Sequence, residues 1–481
     1  MDGLKRPAGD ITTLIDLAPR DRQDNDFFPL QTQETWFTRD PERRLMPSVP
    51  VVADFPFRGP AAFGQRFTFD IGSIPCGDVL TGCAIQIRLS HWLDLTTQLA
   101  IQTGTLAYEN PLDAWFYCNS LGTALIEKAE LEIDGVTIEE LDGDFCNAWS
   151  LLAADYNTQI GVALDHLGKV SVPKLLSWPP TRIFPTEDGI LHCSLPFFFS
   201  RVKYQEALPM IAMKEGLARI HVTFRPFTEV LRQARGFRDS CTSTPTGTTL
   251  QFVDTTVPFL RPVPIAAVIS DPGLDSVRLI TFGSILDGKM REAMMRHPFE
   301  VLHRLLQTFY FAEPLKYTIA KTGVDRVRVQ LPLEANHPLE EIVWFVRRKD
   351  VLLNNEWTNY SSVLEKEYDA TYNAPEPLLI SAAIQVNGVT LVEAEEGYFR
   401  ELGARTHHGG IAPYKAFVYC YPFARHPSEH QPSGTLNASR VQSLRLVLDV
   451  KGGAEWEVKV FCLGLNWLRF QNGLANKMFS Q

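Results

Sequence analysis

Two stretches of the chain, LEIDGVTI at residues 131–138 and IQVNGVTL at residues 384–391, decide the fold. Each alternates apolar with polar residues on both sides of an Asp-Gly or Asn-Gly pair. A type I′ turn needs a positive φ angle at both central positions, and these residue pairs adopt it most readily. Each stretch therefore predicts a tight β-hairpin, with Gly135 and Gly388 as equivalent turn residues 253 positions apart.

Other blocks repeat in the same order around these two hairpins. Four pairs match at the same offset: Ala129 with Ala382, Thr137 with Thr390, Glu140 with Glu393 and Phe145 with Tyr398. PFFFSR at 196–201 is answered by PFAR at 422–425, and ARIHVTF at 218–224 by LRLVLDV at 444–450. The order is kept while the loops change length, which indicates tandem duplication of one β-domain.

The boundaries of the two copies follow from these blocks. We predict an N-terminal arm at residues 1–35, a first domain at 36–288 and a second domain at 289–481. The arm is charged and poor in strand pattern. Its short apolar patch includes Leu14, Ile15 and Leu17, which we expect to be anchoring side chains for a partner, since a segment of this kind stays disordered until it binds.

Short runs rich in Val, Ile, Phe and Thr, separated by 32 prolines and 31 glycines, indicate an all-β architecture. Helical patterns are few. One covers 289–295 and is stopped by Pro298, and a second is suggested at 299–307 by apolar residues at roughly helical spacing. We expect three insertions, which loops of this length often use as interaction surfaces: residues 146–190, 225–274 and 347–376.

A net charge of −10 and a pI of about 5.6 argue against a protein that wraps nucleic acid. We interpret the two densest basic patches as solvated loop faces: Arg232, Arg235 and Arg238, and Arg347, Arg348 and Lys349. The eight cysteines contain no C-x-x-C pair, so we expect reduced core thiols. The chain has no signal-like apolar region and no run long enough for a membrane span, so we expect a soluble protein.

Motifs that would carry catalysis or metal binding are weak. The segment HPSEH at 426–430 has two histidines four positions apart, but Pro427 disfavours the helix that the zinc motif H-E-x-x-H needs. His407 and His408 lack further ligands at suitable spacing. No nucleophile elbow, phosphate-binding loop or dinucleotide fingerprint is present. We expect no enzyme activity, no cofactor and no metal.

Acidic pairs and sequons also have a simple structural interpretation. The pairs Glu139-Glu140 and Glu395-Glu396 flank the duplicated turns, and we interpret them as solvated hairpin ends rather than glycosidase acids. The sequons at Asn359 and Asn437 have no secretory context.

With these blocks in place, the chain resembles the major capsid proteins of nucleocytoplasmic large DNA viruses, above all those of iridoviruses and marseilleviruses. The resemblance runs from about Ile15 to Gln481. Six blocks carry it in order: AFGQRFTFDI (62–71), GDVLTGCAIQIRL (77–89), ALIEKAELEIDGVTI (124–138), PFFFSR with ALPMIAM (207–213) and ARIHVTF, HQPSGTLNASR (430–440), and NWLRFQNGLANKMFS (466–480). The loop block contains the positions that match the family motif: Gln431, Pro432, Ser433, Gly434, Asn437 and Arg440.

This resemblance implies two tandem eight-stranded jelly rolls in one subunit, with long loops and a few short helices. Three subunits would form a trimer of pseudo-hexagonal outline, and such trimers would tile the outer icosahedral capsid of the virion, assembled in the host cell cytoplasm. The arm would lie on the inner side of the shell and meet minor capsid proteins, with no direct nucleic-acid binding and no membrane insertion.

Two alternatives remain open at this stage. One is a carbohydrate-binding or hydrolytic jelly roll, which does not explain a duplication over both halves. The other is a related viral protein with a different role, such as a penton or minor capsid subunit or an assembly scaffold. Copy number in the virion distinguishes the second alternative, because the protein that builds the facets is the most abundant.

Overall fold

The computed structural model of the chain describes residues 48–90, 114–153, 189–201, 206–213, 217–235, 240–244, 247–251, 255–256, 271–312, 326–353, 355–364, 375–402, 416–427, 432–453 and 455–478. Residues Val49–Gln481 form one compact unit. Most of the described residues lie in antiparallel strands that form four four-to-six-stranded sheets and two smaller ones. Most of the apolar side chains of these strands are buried.

The first sandwich contains two four-stranded sheets. One has the order β1-β13-β3-β7, and its strands are Ser48–Pro56, Leu274–Leu286, Val79–Leu89 and Ile190–Ser194. The other has the order β2-β8-β5-β6, and its strands are Arg66–Ile71, Ala218–Phe224, Ile126–Ile133 and Val136–Leu141. Alternation places the core: in β2, Phe67, Phe69 and Ile71 are buried while the residues between them are exposed.

The second sandwich repeats this topology. One sheet has the order β14-β22-β16-β19, with strands Phe299–Ala312, Trp456–Gln471, Pro338–Arg348 and Val418–Pro422, and the short strands β20 (Leu436–Asn437) and β23 (Leu474–Lys477) pair at its margins. The other has the order β15-β21-β17-β18, with strands Arg326–Pro332, Leu444–Lys451, Leu379–Val386 and Val389–Glu395. Two sheets of this strand order form an eight-stranded jelly roll, so the predicted pair of tandem jelly rolls is confirmed.

The two jelly rolls share their irregularities as well as their strand order. In the hairpin β5–β6 the register shifts so that Ile138 is the extra residue, and in β17–β18 the extra residue is Leu391, which lies 253 positions later. A second shift makes Thr81 extra between β3 and β13, and Glu340 extra between β16 and β22. Because β-bulges are retained as specific features of a fold, matching bulges support duplication of one domain.

Helices in the described residues are short: α1 (Ser73–Cys76), α2 (Leu121–Ala124), α3 (Gly143–Ala153), α4 (Phe198–Arg201), α5 (Phe227–Val230), α6 (Gly288–Arg296) and α7 (Lys349–Leu353). Two 3₁₀ turns, Met210–Ala212 and Ala438–Arg440, and one π-helical turn, Tyr398–Leu402, complete the helical elements. Helix α6 was predicted. Asp287 caps its first turn by accepting a hydrogen bond from the Lys289 N–H, and His297 before the proline is extended.

The second helical pattern, at residues 299–307, is wrong. This segment is part of strand β14, which pairs with β22 along its whole length. Its central residues, 302–306, are buried on both faces of the sheet, so the alternation of apolar and polar residues is lost there. A strand buried on both faces and a helix cannot be distinguished by such a run.

The predicted insertions contain some regular structure. Residues 225–274 include β9 (Leu231–Arg235), which pairs with β4 (Ala114–Tyr117) and β12 (Thr255–Thr256), and the separate hairpin of β10 (Ser240–Thr244) and β11 (Gly247–Gln251). Helix α3 begins the insertion at 146–190, and most of the remainder of that insertion lies outside the described residues. In the described parts of the chain, no helix is long and apolar enough to span a membrane.

Candidate functional site between the two jelly rolls

The two jelly rolls meet along a buried surface that we call the seam. On the first jelly roll it is formed by β6, α3 and α4, and on the second by the outer face of the sheet that contains β14, β16 and β22. The ring of Phe145 packs edge-on against that of Phe461, with centroids 5.2 Å apart. The side-chain amide of Asn147 donates to the Tyr360 hydroxyl at 2.9 Å.

Arg347 is the centre of one buried ionic cluster in the seam. It lies near the end of β16, and its guanidinium donates to Asp144 at 2.8 Å, across the seam, and to Glu457 at 2.6 Å on the neighbouring strand. Burial by itself would raise the pKa of the Asp144 carboxyl, but Arg347 and Lys459 outweigh it and hold that pKa far below its usual range. Asp144 is therefore ionised, and Arg347 and Lys459 compensate its charge.

The local fold of α3 positions this cluster. The Asp142 carboxylate accepts the Phe145 backbone N–H at 2.7 Å, which caps the start of the helix. The same carboxylate accepts a bond from Lys459 of the second jelly roll at 2.8 Å. One aspartate therefore fixes both the first helical turn and its contact across the seam.

A second ionic cluster surrounds α4. Arg201 pairs with Glu139, and its guanidinium donates to the Arg304 backbone carbonyl at 2.9 Å, across the seam. Arg304 in turn pairs with Glu206 of the first jelly roll and with Glu340 of its own, at 2.6 Å to the latter. All five side chains are buried, so each charge depends on its partners for compensation.

His303 precedes Arg304 in β14 and has no hydrogen-bond partner in the described part of the chain. Its ring is fully buried and packs edge-on against Phe198, with centroids 4.7 Å apart. Burial lowers the pKa of His303 well below its usual value, and the positive charges of Lys477 and Arg201 lower it further. The imidazole is therefore neutral at neutral pH.

The loop after α7 completes the seam. The Asn355 amide donates to the carbonyls of Thr228 and Leu231 at 2.9 and 2.8 Å, and the Trp357 indole N–H donates to the Glu229 carbonyl at 2.8 Å. The Arg225 guanidinium stacks 3.7 Å from the centroid of the Trp357 ring. This part of the predicted insertion at 347–376 therefore binds the other half of the same chain.

The prediction that the charged patches are solvated loop faces or hairpin ends was wrong at several positions. Arg347 is buried in strand β16, and Arg232 and Arg235 lie in strand β9 rather than in a loop, while Arg238 lies outside the described residues. Of the hairpin acids, Glu139 is buried against Arg201 and Glu396 is buried against Arg400. Only their neighbours Glu140 and Glu395 are exposed.

A local signal for these buried charges exists in the sequence. Arg201 follows three phenylalanines and a serine, Arg304 lies within VLHRLL, and Arg347 follows VWFV. A single charge inside an apolar run must be compensated when the run is buried on both faces. The partners could not be read in this way, because Asp144 and Arg347 are 203 positions apart.

The predicted turn residues occupy matching positions. Gly135 and Gly388 have φ angles of +80° and +81°, each preceded by a residue with positive φ, Asp134 or Asn387. A Cβ added to either glycine would have no neighbour within 4 Å, so only the backbone conformation opposes a side chain there. The contribution of these two glycines to stability remains a prediction.

The predicted loop residues lie at the margin of the second jelly roll, next to strand β16. Pro432, Ser433, Gly434, Asn437 and Arg440 are exposed. The Ser433 hydroxyl accepts the His426 backbone N–H at 2.8 Å, and Asn437 pairs with Pro338 in strand β20. Lying outside the described residues are Gln431, His407, His408, His430 and the arm residues Leu14, Ile15 and Leu17. Among the described residues, no group of three or more His, Cys, Asp or Glu could hold a metal ion.

Two protein families match the chain in succession. The family described as "Major capsid protein N-terminus" matches residues 36–259, and the one described as "Large eukaryotic DNA virus major capsid protein" matches residues 306–475. The major capsid protein of Phaeocystis pouchetii virus is 23% identical over 526 residues, covering 88% of this chain and 91% of that one. That of Pyramimonas orientalis virus is 24% identical over 383 residues, covering 75% and 77%.

Solved structures share the fold. The VP54 protein of PBCV-1 superposes with a TM-score of 0.65 at 18% identity, covering 93% of this chain and 100% of that one. The Faustovirus major capsid protein gives 0.62 at 10% identity, covering 96% of both chains. The chain belongs to the major capsid protein family of large eukaryotic DNA viruses, and it is a structural component of the virion capsid.

Proposed function

We propose that the chain builds the facets of the icosahedral shell of a large double-stranded DNA virus, as homotrimers of pseudo-hexagonal outline. The observation that carries the proposal is the seam, which joins two jelly rolls of identical strand order through surfaces that are not equivalent. A contact between unlike surfaces repeats from one domain to the next, and it closes into a ring when the rotation allows. Three chains supply six similar domains for such a ring.

Light scattering on the purified protein tests this proposal. The expected mass is three times the 54.2 kDa of the chain, with pseudo-hexagonal particles in electron micrographs. A stable monomer at micromolar concentration and physiological salt would reject self-assembly. In purified virions the chain should be the most abundant protein, whereas a penton or minor subunit would be present in few copies.

We propose further that the protein has no catalytic activity and requires no cofactor or metal. The ionised groups of the seam compensate one another, and burial raises the pKa of the Cys193 thiol to about 12, so it is a poor nucleophile. Elemental analysis should find no stoichiometric transition metal. Metal that is lost in His426→Ala would overturn the proposal, and specific sugar binding on a glycan array would favour the carbohydrate-binding alternative.

The arm and the domain boundaries form a separate proposal. We propose that residues 1–35 meet minor capsid proteins on the inner side of the shell through Leu14, Ile15 and Leu17, with jelly rolls bounded at 36–288 and 289–481. Deletion of residues 1–26 should leave trimers intact and thermally similar but impair their incorporation into shells. A deletion variant that fails to trimerise would place the arm within the folded domain, and one that assembles normally would show it to be dispensable.

The proposed role in the shell also bears on where the protein assembles and on what it does not bind. We propose that the shell assembles in the host cell cytoplasm, and that the chain neither binds nucleic acid directly nor inserts into a membrane, in keeping with its net charge of −10. Immunogold labelling of infected cells should place assembling shells in the cytoplasm. A filter-binding assay should detect no DNA retention at physiological salt.

A further inference from the structure

The seam consists of two unlike surfaces, and each has a copy elsewhere in the chain. The docking surface of the first jelly roll is the end of β6 and the start of α3, where Asp142 binds Lys459 and Phe145 packs on Phe461, and where Ile138 is buried. The receiving face of the second jelly roll is the outer side of β16 and β22, with Arg347, Lys459, Phe461 and Leu463. Duplication predicts a docking surface on the second jelly roll and a receiving face on the first.

The shared bulges identify the copied docking surface residue by residue. Leu391 is the extra residue of hairpin β17–β18, as Ile138 is of hairpin β5–β6. Continuing at the same offset places Glu395 at the position of Asp142. It places Tyr398, in the π-helical turn after β18, at the position of Phe145 at the start of α3.

The copied receiving face follows from strand register. Ile280 lies opposite Ala84 as Phe461 lies opposite Val343, and the bulge comes at the same distance along each strand pair. The counterparts of the four receiving residues follow from this alignment: Arg88 for Arg347, Arg278 for Lys459, Ile280 for Phe461 and Phe282 for Leu463. Both positive charges and both apolar positions are therefore kept on the first jelly roll.

Burial differs sharply between the originals and their copies. Ile138 and Phe145 are 1% and 0% exposed, whereas Leu391 and Tyr398 are 52% and 39% exposed. Leu463 is 1% exposed and its counterpart Phe282 is 43% exposed. Large apolar side chains that are exposed together mark an interaction surface.

Charge is complementary between the two uncovered copies. The docking copy presents Glu395, which is exposed, and the receiving copy presents Arg88 and Arg278, which are also exposed. Arg278 contacts Asp54 of its own chain at 2.9 Å, but both side chains of that pair are nearly half-exposed, so the guanidinium remains accessible. A carboxylate against a guanidinium group reproduces the charges of Asp142 against Lys459.

We infer that Leu391, Glu395 and Tyr398 of one chain bind Arg88, Arg278 and Phe282 of a second copy, in a contact that repeats the seam between molecules. This inference rests on the proposed self-assembly and specifies its surfaces. Each molecule then has one docking surface and one receiving face left for neighbours. The contact is head-to-tail, and the proposed trimer is the closed form of this arrangement.

Two single variants test the inference: Tyr398→Asp removes the docking surface and Phe282→Asp removes the receiving face. Each should be monomeric at concentrations where the unchanged chain forms trimers. Mixed in equal amounts, they should form a dimer of two chains and no closed trimer, because only one docking surface and one receiving face remain functional in the mixture. Met295→Asp is the matched control, since Met295 is also 39% exposed but lies on α6, and it should remain trimeric.

Charge reversal provides a second test that does not alter an apolar position. Glu395→Arg should weaken self-association about 30-fold, the loss expected when one interface charge pair is removed. Combining it with Arg278→Glu in the same chain should restore most of the affinity. A monomeric unchanged chain would reject the proposed self-assembly itself. An unchanged chain that is trimeric, with both aspartate variants also trimeric or with a mixture that stays monomeric, would reject these surfaces alone.

Discussion

Phe145 and Tyr398 occupy the same position in the two jelly rolls, yet the first is buried in the seam and the second is exposed. The same contrast separates Leu463 from Phe282. Strand order, bulges and turns are alike in the two domains, so the local fold does not cause the difference. Burial at these positions depends on whether the chain supplies a neighbour. Domain duplication therefore produces one contact within the chain and leaves a copy of it for a second molecule.

The largest expected effect is a difference in the free energy of unfolding between alanine variants of Arg347 and of its counterpart Arg88. Arg347→Ala leaves Asp144 and Glu457 buried without their main partner, and we expect it to lower the free energy of unfolding by about 3–5 kcal/mol. Arg88→Ala changes an exposed side chain and should cost less than about 0.5 kcal/mol. Urea denaturation of dilute protein, where contacts between subunits do not contribute, measures both. Equal losses would contradict the comparison.

Phe145 and its counterpart Tyr398 should differ in the same way in their contribution to the free energy of unfolding. Phe145→Ala removes a fully buried ring that packs on Phe461, and it should cost about 3 kcal/mol or more in the free energy of unfolding. Tyr398→Ala should cost under about 1 kcal/mol in dilute protein but should abolish trimers. Thermal melting and light scattering on the same samples separate the two effects. A Tyr398→Ala variant as unstable as Phe145→Ala would assign this residue to the core of its own domain.

Acid should weaken the seam through His303. Its pKa in the folded protein lies below the unfolded value of about 6.5, so the unfolded chain takes up a proton first as the pH falls. The free energy of unfolding should therefore decrease by up to about 1.4 kcal/mol per pH unit below about pH 6.5 and be unaffected by this group above it. Lys477, Arg201 and His337 also oppose a charge on this ring.

Replacing His303 shows how much its imidazole contributes to the pH dependence of the free energy of unfolding. His303→Leu should reduce the slope of unfolding free energy against pH between pH 6.5 and 5. His426→Ala, at an exposed position, should leave the slope unchanged. Equal slopes in His303→Leu and the unchanged protein would show that other groups control acid stability.

The smallest expected losses of stability are those at the turn glycines, and they should be the same in both jelly rolls. Gly135→Val and Gly388→Val each force a β-branched residue into a positive φ angle, and each should cost about 1–2 kcal/mol. Gly288→Ala, where a Cβ has equally open surroundings and φ is not positive, should cost much less. Melting temperatures compare the three variants. Unchanged melting in both valine variants would remove the support that these turns give to duplication.

Much of the fold was accessible from the sequence because it depends on short-range patterns. Alternation along β2 and β15 placed their buried faces, and the Asp-Gly and Asn-Gly pairs located two hairpins within one residue. The repeated order of blocks predicted two jelly rolls. The pattern at 299–307 failed, because a strand covered by its own core on one side and by the seam on the other loses its alternation.

The sequence by itself determined that the chain contains two copies of one β-domain, since both copies must satisfy the same turn and strand requirements locally. Only the tertiary structure decided which copy of each surface is covered. The charge on Arg347 has the same local chemistry whether it faces water or Asp144. Its environment depends on Asp144, which lies 203 positions away in the other jelly roll. The partners of Arg347, Arg304 and Lys459 were therefore decided by packing between domains, where burial makes compensation of each charge obligatory.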